Sequence, residues 1–169
     1  LVTLAEVNEA LQQHNSTKEF KPVRTLSSAS LPYPGRKEVV FQHNHHMIGY
    51  DFATKQIITC IPLNERAANL DFCKENSSVA YTVGNDLFVS VPQEGPKQIN
   101  PVIAVCPDAA GQATGPGIVY GQSVHRNEFG IMKGTFWSPK GNYLAFYRMD
   151  QSMVTDYPQV NTSTRIATL

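Results

Sequence analysis

Phe136-Trp137-Ser138-Pro139-Lys140-Gly141-Asn142-Tyr143-Leu144-Ala145-Phe146 reads as strand, polar turn, apolar strand. Ser, Pro, Gly and Asn supply the turn chemistry. The aromatic and aliphatic residues on either side suit a pleated, half-buried surface. The same template recurs upstream. Val79-Ala80-Tyr81 follows Lys74-Glu75-Asn76-Ser77-Ser78, with Phe72 in the place of Trp137. Val39-Val40-Phe41 follows Pro34-Gly35-Arg36-Lys37. Self-similarity of this kind marks a repeat architecture.

The spacing of the repeat sets its type. Val39 and Val79 lie 40 residues apart, and Val79 and Leu144 lie 65 apart. Four-stranded propeller blades run about 40–50 residues, so the second interval holds one blade plus an insertion of about 20. The downstream halves repeat as hairpins. Met47-Ile48-Gly49-Tyr50-Asp51 turns at Thr54-Lys55-Gln56 into Ile57-Ile58-Thr59-Cys60-Ile61. Asp86-Leu87-Phe88-Val89-Ser90-Val91 turns at Gln93-Glu94-Gly95 into Lys97-Gln98-Ile99. The predicted fold class is all-β: residues 1–169 form a partial β-propeller, about three blades of antiparallel sheet, behind a short N-terminal helix. A few blades leave apolar faces uncovered, so the chain belongs in a larger ring. A closed sandwich or small barrel is the alternative. Leu4, Val7 and Leu11 give the helix one apolar face, and Thr3 with Glu6 has the form of a capping box.

Composition narrows the function classes. The chain has 169 residues, 41% hydrophobic and 17% charged, with 14 basic and 14 acidic side chains that cancel. No basic stripe suits nucleic acid, and no acidic tail is present. Cys60, Cys73 and Cys106 are too few for a disulfide framework and too scattered for zinc. They read as buried small side chains, with a single bridge left open. No apolar run approaches the roughly 18 residues of a spanning helix. No charged-then-apolar leader opens the chain. A start at Leu1 and an end at Leu169 look like trimming, and a lost signal peptide stays open.

The insertion, residues 104–134, is where function is expected, because loops this long in a compact fold are usually functional or disordered. It runs from Pro107 to Gly117 as a loose Pro/Gly segment. Ile118-Val119-Tyr120 follows, and then Gly121-Gln122-Ser123-Val124-His125-Arg126-Asn127-Glu128-Phe129-Gly130-Ile131. Gly117-Ile118-Val119-Tyr120, the glutamate before Phe129, the Trp137 turn and its continuation to Val154 together resemble the dipeptidyl peptidase IV family. The bacterial prolyl tripeptidyl and dipeptidyl peptidases are the nearest branch. Val79 to Val89 resembles the family's preceding blade, and the likeness covers roughly residues 36–155.

The resemblance implies a substrate-gating, non-catalytic propeller from a serine exopeptidase that releases N-terminal di- or tripeptides after proline. It implies no cofactor and no metal, and peptide partners that carry proline and a free N-terminus. It also implies a homodimeric full-length enzyme in the periplasm or at the cell surface. The family's catalytic α/β-hydrolase domain lies C-terminal to this chain. In the family, glutamate in this insertion binds the substrate's α-ammonium, a group mostly charged at neutral pH. Glu128 takes that place. The dipeptidyl pattern has two adjacent glutamates, whereas Asn127, preceded by Arg126, stands beside Glu128 here. That favours tripeptide release. Arg126 and Asn127 are possible substrate contacts, with Arg126 as a structural partner of Glu128 the alternative; so is Arg66, because the family uses an arginine from a nearby propeller loop on the substrate's backbone carbonyl, with a plain surface arginine the alternative. The second function class is a non-catalytic, protein-binding propeller. A G-x-S-x-G elbow in the downstream sequence would separate the two.

Other constellations carry little chemistry. Gly121-Gln122-Ser123-Val124-His125 lacks the closing glycine of a nucleophile elbow. His43 and His45 would share one face of a strand, with His46 beside them, but a third zinc ligand is missing, and the cluster reads as a polar turn. Gly111 to Gly117 has no Gly-Lys-Ser/Thr end for phosphate. Phe136 and Trp137 are expected to alternate across a strand and pack between blades.

Overall fold

The computed structural model describes residues 2–92, 102–104, 117–123 and 128–154. Helix α1 spans Leu4–Gln13 and is capped as its sequence predicts. The Thr3 hydroxyl accepts from the Glu6 N–H at 3.3 Å, and the Glu6 carboxylate accepts from the Thr3 N–H at 3.3 Å. Ten residues are too few to hold a helix alone in water. Packing supplies the rest: Val7, Ala10 and Leu11 are buried. Leu4 stays more than a third exposed, and Ala10 completes the inward stripe instead. At the other end the buried Thr17 hydroxyl donates to the Leu11 carbonyl at 2.7 Å.

Three antiparallel layers follow, the third made of two two-stranded sheets. The first is β1 (Glu38–His43), β2 (His46–Asp51) and β3 (Gln56–Pro62), in that order. The second is β4 (Ala68–Cys73), β5 (Ser78–Val83), β6 (Asp86–Ser90) and β7 (Val102–Ala104), again in chain order. In the third, β9 (Thr135–Trp137) pairs with β10 (Leu144–Phe146). Strand β8 (Ile118–Tyr120) pairs with β11 (Arg148–Asp150). The three repeat triplets fall in equivalent places. Val79 lies in the second strand of its sheet, and Leu144 begins the second strand of the β9–β10 pair. Val40, in β1, exchanges both backbone hydrogen bonds with Ser30, a single-residue bridge that stands where the other sheets have their first strand.

The histidine cluster forms the polar turn expected of it, so His43 and His45 do not share a strand face. Asn44 and His45 form the two-residue β1–β2 turn with φ of 47° and 58°, the left-handed pair that a tight hairpin demands. His43 instead faces His46 across the ladder. The expected return strand at Lys97-Gln98-Ile99 lies outside the described residues, and β6 finds its partner in β7.

Alternation along the strands builds the layers. Val39, Phe41, Ile48 and Tyr50 pack under α1. Val40, Met47 and Ile61, on the opposite face, meet Val79 and Tyr81 of the second sheet. Ala80, Leu87 and Val89 meet Tyr120, Trp137, Leu144 and Phe146. The result is helix, sheet, sheet, sheet, each face closed by the next: a partial β-propeller. Cys60 and Cys73 are buried, and burial pushes the Cys60 thiol up to about 11. Cys106 lies outside the described residues.

Candidate functional site

The site is built on an interruption of one strand. Strands β10 and β11 flank Tyr147, and this residue holds both of their partners. Its N–H donates to the Gly134 carbonyl at 2.9 Å, and its carbonyl accepts from the Gly121 N–H at 2.8 Å. In a strand, the N–H and C=O of one residue point to the same side. Residues 118–121 and 134–137 are therefore two halves of one sheet edge. Between them the chain leaves the sheet at 122 and returns at 133.

The root of this excursion is tightly fixed. A Cβ on Gly134 would lie 2.3 Å from the Gln122 carbonyl oxygen, so glycine is required where the two ends cross. The Gln122 side-chain amide donates to the Gly84 carbonyl at 2.8 Å, tying the root to the β5–β6 turn. The Ser123 hydroxyl donates to the Ile131 carbonyl at 3.0 Å, a structural use of that serine. Lys133 Nζ reaches both oxygens of Asp71 at 3.0 Å. The Thr135 hydroxyl donates to the same carboxylate at 2.9 Å, and Trp137 Nε1 donates to the Asp71 backbone carbonyl at 3.1 Å.

Beyond the root, Glu128–Gly130 forms a single 3-10 turn. Phe129 sits there with φ 54° and ψ 22°, and its ring is 90% exposed. Left-handed backbone at a non-glycine residue costs about 1–2 kcal/mol and gathers at functional sites. The backbone of Glu128 thus stands next to a strained aromatic in a loop with a pinned root. Arg126 and Asn127 lie outside the described residues. Arg66 is exposed in the β3–β4 connection, where its N–H donates to the Asn64 side chain at 2.9 Å.

The remaining candidates have structural partners. His43 Nε2 lies against the Lys21 carbonyl and His46 Nδ1 against the Asn44 carbonyl, with the Phe20 ring edge-on to His43 and tilted against His46. Among the described residues no group of three His, Cys, Asp or Glu side chains is placed to hold a metal. Trp137 packs between sheets as expected, whereas Phe136 stands edge-on to Tyr147 with Lys133 over its ring. Asp71, Gln122, Lys133 and Gly134 were not read as site residues from the sequence. Asp71 sits in Asn69-Leu70-Asp71-Phe72, an ordinary strand stretch, and its partners are more than 60 residues away.

Comparison with known proteins bears on the whole arrangement. Residues 33–167 match the family model described as the dipeptidyl peptidase IV (DPP IV) N-terminal region. Among solved structures, the chain is similar to a candidate dipeptidyl aminopeptidase IV from Bacteroides ovatus. The two share 37% identity with a TM-score of 0.72, over 99% of this chain and 21% of that one. The chain therefore spans about a fifth of the length of that relative.

Proposed function

The chain belongs to the dipeptidyl peptidase IV family by its N-terminal region, and from that premise we propose that it is the non-catalytic, substrate-gating part of a serine exopeptidase. In this reading Glu128 holds the α-ammonium of the peptide substrate. A carboxylate at a fixed distance from the nucleophile measures the substrate from its N-terminus. A charge-assisted hydrogen bond in a partly dry cleft does this better than a neutral one. An internal peptide segment lacks the ammonium and is rejected.

The observation that carries the reading is the pinned loop: a strand opens, its root is fixed at Gln122 and Gly134, and the turn Glu128–Gly130 stands on it. Scission belongs to an α/β-hydrolase domain of the full-length protein, so this chain alone is inactive. Turnover of a Gly-Pro chromogenic amide by the isolated chain would contradict that. On the same premise the full-length enzyme is a homodimer, periplasmic or on the cell surface, which cell fractionation checks.

The decisive test is Glu128→Gln in the full-length protein. Removing one partner of a partly buried charge pair costs about 2–5 kcal/mol. At about 1.4 kcal/mol per tenfold, kcat/KM on a free-amine Ala-Ala-Pro amide falls roughly 30-fold or more. An N-acetylated substrate is spared. A change within about twofold on the free-amine substrate removes Glu128 from the role. The lone glutamate also predicts faster release of tripeptides than of dipeptides.

A further inference from the structure

The geometry points to Asp71, in the first strand of the second sheet, as the positioning residue of the loop that carries Glu128. This rests on the reading of Glu128 given above. Three donors from the chain that returns into β9 converge on Asp71: Lys133 Nζ at 3.0 Å to each oxygen, Thr135 Oγ1 at 2.9 Å, and Trp137 Nε1 at 3.1 Å to the backbone carbonyl. They come from alternate residues along the returning chain. The Asp71 side chain is only 14% exposed, while that of Lys133 is 52% exposed, so the carboxylate is the fixed partner of the pair. Lys133 is held from the other side by the Phe136 ring, 5.6 Å from its nitrogen. Lys133 is also the last residue of the excursion, next to Gly134, whose backbone crosses Gln122.

The second sheet thereby fixes where the loop re-enters the third. A carboxylate is suited to this because it accepts from both the ammonium and the hydroxyl, and charge-assisted bonds are the strong ones. Asp71 touches no substrate in this arrangement. It acts through the loop, by holding the turn Glu128–Gly130 at one height above the sheets.

The test uses the full-length protein with Asp71→Asn and, separately, Lys133→Met. Loss of the charged bond loosens the root, so amides of residues 128–133 exchange about tenfold faster in both variants while β1–β3 stay protected. On the free-amine Ala-Ala-Pro amide, KM rises about tenfold and kcat moves less than about twofold. In a Glu128→Gln background, Asp71→Asn adds nothing further. Unchanged loop exchange in both variants overturns the proposal. So does a KM effect of equal size with and without the Glu128 carboxylate. If Asp71→Asn also exposes β1–β3, Lys133→Met, which leaves the second sheet intact, decides alone. If the loop loosens but Glu128→Gln is kinetically silent, the ammonium reading fails and the positioning role stands.

Discussion

Gly134 has no freedom to become anything else. A methyl group there would meet the carbonyl oxygen, carbon and nitrogen of Gln122 at 2.3, 2.4 and 2.6 Å, all backbone atoms that cannot swing aside. Gly134→Ala therefore pushes the two ends of the excursion apart, and overpacking of this kind costs about 1–3 kcal/mol. Urea denaturation of the chain should show the loss. A variant as stable as the wild type would mean the crossing is looser than its geometry. The sequence does not announce this glycine, because close approach between residues 12 apart is a tertiary fact. Glu128 entered only through resemblance, because a glutamate in a loop has no local signature, and its role rests on the proposal above. Asp71 was not, since its meaning lies in Lys133 and Thr135, far along the chain.

The elements were legible where local chemistry decides them. Helix α1 begins at its capping box, and the β1–β2 and β5–β6 turns use the Asn, His and Gly residues that left-handed backbone tolerates. Strand β8 with its continuation at 134–137 was harder, because a strand broken by an excursion has no single period to read. A further link ties α1 to the β2–β3 turn: Lys55 Nζ lies 2.8 Å from the Glu6 carboxylate. The hydrogen bond from Lys55, then those from Thr3, hold the Glu6 carboxyl down to about 2, below an ordinary value of 4.5. A depressed folded pKa contributes stability above the unfolded value, and that contribution is lost as pH falls from about 4.5 towards 2. Acid titration followed by NMR should show α1 loosening in that window, earlier at high salt because the pair is exposed. Glu6→Gln should flatten the response, and an unchanged acid response in that variant would refute the link.

At the scale of the molecule, the interval of 40 residues between Val39 and Val79 was enough to predict stacked sheets. What covers the first sheet was not readable. An apolar helical stripe says that a face is buried, not what it is buried against. Here Val7, Ala10 and Leu11 close over Val39, Phe41, Ile48 and Tyr50. Leu11→Ala should cost about 2–5 kcal/mol. In a stack where each layer touches only its neighbours, the loss should appear first in β1–β3. Hydrogen exchange that weakened β4–β6 equally would argue against such layering. The helical cover also bears on how the chain is made. The first two sheets pair strands adjacent in sequence, so their contacts close early and locally. Chains emerge N-terminus first at about 5–20 residues per second, and exposed apolar surface during that interval invites aggregation. Because α1 precedes the sheet it covers, the first layer can bury one face as soon as β3 leaves the ribosome, and the growing polypeptide carries a single sticky side, the one the next sheet will take.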